Sequence, residues 1–109
     1  CYIDNTLQMN LLAATTDNDE ATDQVYNVAL NDRTSLNQLY QMIEQKLIER
    51  MPNLEKKEPI YRDFRVGDVR HSQADISKAQ ELLGYQPRYK ISTGMNETMD
   101  WYVEGFKQC

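Results

Sequence analysis

Two residues carry the chemistry that this sequence suggests first: Arg65 and, three places on, Asp68. They lie in the run Arg65-Val66-Gly67-Asp68-Val69-Arg70-His71-Ser72, just after the β-prone stretch Ile60 to Phe64. A tight turn at Gly67 lets Arg65 and Asp68 leave the end of a strand together. A guanidinium in that place can fork two oxygens of a phosphate. A neighbouring carboxylate can accept hydrogen bonds from a pair of vicinal hydroxyls. Ligands commonly sit beyond the carboxyl ends of parallel strands. The same two side chains can equally form a solvated ion pair, which contributes little.

Other chemically capable residues carry less. His71 is the only histidine, and no cysteine or carboxylate cluster stands at metal-binding spacing around it. It reads as a loop residue, with no metal site. Arg33 and Arg70 are candidate helpers for phosphate or sugar, yet exposed arginines usually serve no such purpose. Trp101, Tyr102 and Phe106 fall in a helical pattern and read as core residues rather than as a stacking platform. The acidic run Asp17 to Glu20 reads as a solvated loop.

The elements that must position these residues follow from periodicity and punctuation. Asp4 or Asn5 can cap a helix carrying Leu7, Leu11 and Ala14 on one face. Val25 to Leu30 is a short β-prone run that ends at the turn-like Asn31-Asp32. Ser35 with Gln38 forms a capping box. Behind it Leu36, Leu39, Tyr40, Ile43, Leu47, Ile48 and Met51 recur at helical spacing until Pro52-Asn53 stops the helix. Strand, helix and the Ile60 to Phe64 run predict a parallel β-α-β unit with a right-handed crossover. Asp75 caps a short helix with Ile76, Ala79, Leu82 and Leu83 on its apolar face, ended by Gly84 and Pro87. Ser92 or Thr93 opens a last helix with Met95, Met99, Tyr102, Val103 and Phe106 on one face. The expected fold class is therefore α/β, a small domain built on that unit with flanking helices.

The 109 residues suffice for one domain, taken as 1–109. The chain is 40% hydrophobic and 27% charged, as a globular chain is. A net charge of -5 argues against nucleic acid as a partner. It leaves room for a nucleotide, for which one or two well-placed arginines suffice. No apolar run approaches a membrane span, and no signal peptide is visible. The two cysteines, Cys1 and Cys109, stand at the two ends and could pair only if the ends meet. Two cysteines make no disulfide framework, so a reducing, cytoplasmic setting is the default. The first residue is not Met, and the chain reads as a piece of a longer protein.

The chemistry-bearing run has ordered flanks: Ala74-Asp75-Ile76-Ser77-Lys78-Ala79, then Leu82-Leu83-Gly84-Tyr85-Gln86-Pro87. Together they resemble the C-terminal signature of the sugar-nucleotide epimerases and dehydratases of the extended short-chain dehydrogenase family. Tyr2-Ile3-Asp4-Asn5 and Val25-Tyr26-Asn27-Val28 are similar to family segments in the same order, so the likeness covers essentially the whole chain. It implies a substrate-binding domain detached from its N-terminal Rossmann domain. It assigns the nucleotide diphosphate to Arg65 and the ribose hydroxyls to Asp68.

Within that resemblance Ser72 decides the sugar. Some members hold a bulky aromatic at the matching place, beside the sugar's 2-position. A small hydroxyl leaves room for an N-acetyl group. The run Asp68 to Ser72 most resembles the subgroup acting on UDP-N-acetylglucosamine and UDP-N-acetylgalactosamine, which implies a 4-epimerase in surface-polysaccharide precursor synthesis. The competing expectations are another nucleotide-sugar epimerase, a decarboxylase or a dehydratase, or a non-enzymatic binding or assembly module. The family's reaction passes a hydride to NAD and back. It needs a glycine-rich loop and a Tyr-x-x-x-Lys pair. Neither occurs in this chain, so no catalytic or cofactor-binding residue is assigned, and NAD belongs to a full-length parent. Half the pocket would then be absent, giving weak UDP-sugar binding by this piece and an uncovered apolar face prone to self-association.

Overall fold

The computed structural model describes residues 1–107, so a pairing of Cys1 with Cys109 lies outside the described residues. Four α-helices and one short turn of 3-10 helix make up the regular structure. They are α1 (Ile3–Thr15), the 3-10 turn Asp19–Ala21, α2 (Leu36–Arg50), α3 (Ser77–Leu83) and α4 (Ile91–Lys107).

The expected α/β class is not what the chain adopts. Among the described residues there is no strand, and hence no parallel β-α-β unit. Val25–Leu30 does alternate as a strand would: Val25 and Asn27 are exposed while Tyr26 and Val28 turn inward. Its hydrogen bonds, however, run through side chains, its own or another's, instead of to the backbone of a neighbouring strand. Asn27 donates to the Asp75 carbonyl at 3.0 Å, and the Ala29 carbonyl accepts from the Tyr85 hydroxyl at 2.9 Å. The second expected strand, Ile60 to Phe64, is exposed throughout. A parallel pair is stable only when both faces are covered. Residues 60 to 64 all stay exposed, and no described strand lies beside them, so the ladder has no partner on which to form.

The main core is a cluster of Met9, Ala21, Ile76, Ala79, Leu83 and Tyr85, with Leu12, Tyr26, Val28 and Leu82 packed around it. It joins α1, the 3-10 turn, the 24–29 segment and α3. Gly84 ends α3 in the left-handed region at φ 66°, which costs glycine nothing. The chain then reverses, the Tyr85 amide donates to the Ala79 carbonyl at 3.1 Å, and the Tyr85 ring drops into the core with 0% exposure. Burial pushes its hydroxyl pKa up. The N-cap place of α3 falls to Ile76, whose side chain caps nothing, and not to the expected Asp75. One place earlier, Asp75 Oδ1 accepts from the Ser77 amide at 2.9 Å and from its hydroxyl at 2.6 Å, which satisfies the first amide of the helix and lowers the Asp75 pKa.

The helix faces depart from expectation. α1 starts at Ile3 with Tyr2 at its N-cap, and no side chain caps it. It turns Asn5 and Met9 inward, while Ile3, Leu7 and Leu11 are exposed. α4 starts at Ile91 and buries Met99 and Val103, but Trp101, Tyr102 and Phe106 are exposed, not core. α2 has the expected capping box of Ser35 and Gln38, yet no residue on it is fully buried. It lies along α4, held by Arg50 Nε on Asp100 Oδ1 at 2.5 Å and by Lys46 on Asn96.

The shape follows from this sparse packing. The Cα radius of gyration is 17.8 Å. A compact domain of this length would have roughly 13 Å. The accessible surface is 9161 Å², against roughly 6,300 Å² for a folded monomer of this mass.

Candidate functional site

Arg65 and Asp68 come together as a hydrogen-bonded turn. The Asp68 amide donates to the Arg65 carbonyl at 3.1 Å, closing four residues, and Gly67 in third place has φ 91°. That is the arrangement of a type II turn, which calls for a positive φ at its third residue. The carboxylate then folds back on the turn's first residue. Asp68 Oδ2 accepts from the Arg65 amide at 3.2 Å and from Arg65 Nε at 3.3 Å. Both bonds fall on one oxygen, which leaves Oδ1 for a hydroxyl donor. The Arg65 side chain is 87% exposed and the Asp68 side chain 38%. The pair is worth little to stability at that exposure. What it does is set the guanidinium beside the carboxylate.

The residues that follow meet both their own segment and the 31–33 bend. Arg70 stacks its guanidinium over the Phe64 ring, 4.2 Å from the centroid. Arg33 Nη1 lies 3.5 Å from Nδ1 of His71, an acceptor when the ring proton is on Nε2. Gln73 Nε2 donates to the Asn31 carbonyl at 3.0 Å and to Asn31 Oδ1 at 3.2 Å. Ser72 is exposed between these two anchored neighbours. The sequence offered Arg33 as a helper for phosphate or sugar but did not connect it, or the Asn31-Asp32 turn, to His71 and Gln73. They are about forty residues away in the chain, and no local pattern links them.

The flanking motif explains itself structurally. Asp75 takes the first amide of α3, Ala79 and Tyr85 are core, and Lys78 Nζ donates to Gln24 Oε1 at 2.7 Å while lying 5.3 Å from the centroid of the Tyr26 ring. These residues hold the 24–29 segment in place, and the end of the 65–73 run, at His71 and Gln73, meets the Asn31–Arg33 bend.

A hollow of about 200 Å³ lies elsewhere, between α2 and the 57–61 segment. Asn37, Tyr40, Glu44, Lys57, Glu58 and Tyr61 line it, and sequence reasoning did not single it out. Burial, then the Glu44 carboxylate, push the Tyr40 hydroxyl up, and that hydroxyl donates to the Lys57 carbonyl. Among the described residues no group of three or more His, Cys, Asp and Glu side chains could hold a metal. No described helix is long and apolar enough to cross a membrane. The glycines do not form a dinucleotide loop. Gly67 makes the turn, Gly84 ends α3, and Gly94 and Gly105 lie within α4, so the residues present do not fit an NAD pyrophosphate.

No protein-family model matches the chain. It is 34% identical over 73 residues to a UDP-glucuronate 4-epimerase of Thermodesulfobacterium geofontis, a stretch that is 67% of this chain and 21% of that protein. It is 37% identical over 57 residues to UDP-glucuronate 4-epimerase 3 of Arabidopsis thaliana, covering 52% of this chain and 13% of that one. It is 45% identical over 53 residues to a decarboxylating sterol-4-alpha-carboxylate 3-dehydrogenase of Candida albicans, covering 48% and 15%. The chain thus spans about a fifth or less of the length of these relatives. They support kinship with the epimerases and dehydrogenases of the short-chain dehydrogenase type. Within that class nucleotide-sugar epimerases recur among the names, and none of those reported is a UDP-N-acetylglucosamine 4-epimerase.

Proposed function

We propose that the chain is the substrate-binding portion, residues 1–109, of an NAD-dependent nucleotide-sugar 4-epimerase acting on UDP-N-acetylglucosamine and UDP-N-acetylgalactosamine. The observation that carries the reading is the turn at Gly67, which presents a guanidinium and a carboxylate side by side. Arg65 forks the diphosphate, and Asp68 takes the ribose hydroxyls through Oδ1. Ser72 leaves space beside the sugar's 2-position. NAD and the groups that move the hydride and the hydroxyl proton belong to a Rossmann domain outside this chain, so the portion alone binds without turnover. The names of the relatives favour a second reading, the same portion of a UDP-glucuronate 4-epimerase.

Amide NMR of the 109-residue chain, titrated with UDP, UDP-N-acetylglucosamine and UDP-glucuronate, tests both. UDP should shift Arg65 and Asp68 with a Kd in the millimolar range, since half the pocket is elsewhere. The N-acetylated nucleotide should add a shift at Ser72. A stronger Ser72 response to UDP-glucuronate would favour the second reading. No response at 65–72 to any of the three, or submicromolar binding by the chain alone, would overturn the proposal.

A further inference from the structure

Ser72 has no regular element to hold it. It lies in an exposed stretch between the 65–68 turn and the cap of α3, where every residue from 60 to 73 is solvent-exposed. A side chain meant to discriminate between substituents has to be held within about half an ångström. Something else must supply that order.

The bend at Asn31–Arg33 is placed to do so. Asn31 sits in the left-handed region at φ 52°, an uncommon state that asparagine tolerates better than most residues. Its carbonyl and its side-chain oxygen both accept from the one Gln73 amide nitrogen. Two residues on, Arg33 reaches Nδ1 of His71. The bend therefore grips the residue before Ser72 and the residue after it. It is itself anchored, because the adjoining Ala29 carbonyl takes the hydroxyl of the buried Tyr85. Asp32 Oδ1 accepts from the Arg33 amide at 2.7 Å, which stiffens the bend from within.

We infer that Asn31, Arg33 and Gln73 are positioning residues for Ser72: by holding the side chains on either side of it, those of His71 and Gln73, they restrain the segment and so set how its hydroxyl meets the substituent at C2 of the bound sugar. The inference deepens the proposed function and rests on it for the sugar. The clamp itself does not depend on which ligand binds.

The test separates the two. Gln73→Glu keeps the shape of the side chain but replaces the donating nitrogen with an acceptor, which the two Asn31 oxygens repel. Arg33→Ala removes the other grip, and Arg33→Lys restores a donor. In the free 109-residue chain, amide relaxation at Ser72 should show increased fast motion in Gln73→Glu and in Arg33→Ala, with partial recovery in Arg33→Lys. Tyr85 and Met9 amides should not change. Unaltered Ser72 order in both loss variants overturns the clamp. Titration with UDP-N-acetylglucosamine against UDP-glucose then reads the consequence. If the native chain favours the N-acetylated nucleotide at Ser72, Gln73→Glu should lose most of that preference, and a retained preference overturns the positioning role. If the native chain responds equally to both sugars while the relaxation result holds, the sugar assignment falls and the clamp stands.

Discussion

Asn5 and Tyr89 are locked across 84 positions of sequence by one side chain. Asn5 Nδ2 donates to the Tyr89 carbonyl at 2.8 Å, and Oδ1 accepts from the Tyr89 amide at 3.1 Å and the Arg88 amide at 2.9 Å. The residue is 1% exposed. A carboxamide here satisfies three part-buried backbone groups and its own buried polar atoms, and it ties the first turn of α1 to the lead-in of α4.

Asn5→Ala strands those groups. The expected loss is about 2–4 kcal/mol, the range for several buried polar groups left without partners. Chemical denaturation of the variant should show a lower midpoint at nearly the same slope. Asn5→Asp keeps the acceptor but loses the donor and places a charge in the interior, so it should not rescue stability.

Tyr85 provides the pH signature. Burial raises its hydroxyl pKa above the usual value near 10. The folded state prefers the protonated phenol, so stability is fully present below pH 10 and declines as pH rises beyond it. Asp75 acts at the other end. Its pKa is lowered by the two bonds from Ser77, so its contribution is present above its usual value of 3.8 and fades as pH falls through the lowered one. Thermal scans from pH 3 to 11 should show both flanks. Tyr85→Phe should reduce the alkaline flank, leaving the part that the raised Tyr2 and Tyr40 hydroxyls contribute, and cost about 1–2 kcal/mol for the unpaired Ala29 carbonyl.

Gly67→Ala tests the turn without touching the core. No atom lies within 4 Å of an added Cβ, so the penalty is the positive φ alone. That penalty is about 1–2 kcal/mol. The exposed turn can relieve it by rearranging without disturbing the core, so the melting temperature should hardly move. UDP-induced shifts at Arg65 and Asp68 should weaken several-fold. Full retention of those shifts would mean the turn geometry is irrelevant to binding.

Self-association should be measurable. Ile3, Leu7 and Leu11 form an exposed stripe on α1, and Trp101, Tyr102 and Phe106 add exposed aromatic surface on α4. Sedimentation should be concentration-dependent, and Leu7→Lys with Leu11→Lys should reduce the effect. A dilution-independent monomer in the native chain would contradict this.

A local cause made some features legible from residues alone. The Ser35–Gln38 capping box, the Gly84 stop and the Gly67 turn each close a hydrogen bond within about four positions of sequence. Residue type and spacing are enough for such bonds. The strands failed because alternation says which side of a segment is apolar, not whether a second strand stands beside it. Val25–Leu30 has the alternation but makes its bonds to Asp75 and Tyr85, while 60–64 has nothing to pair with. The helix faces were misread for the same reason. Leu7 and Leu11 on α1 are apolar but have no neighbour, and the inward place goes to Asn5, whose partners at 88–89 come from the far end of the chain. Arg65 and Asp68 could be foreseen as a pair. That Asn31 and Arg33 reach the neighbours of Ser72 could not, because only the folded path of the chain brings together groups some forty residues apart.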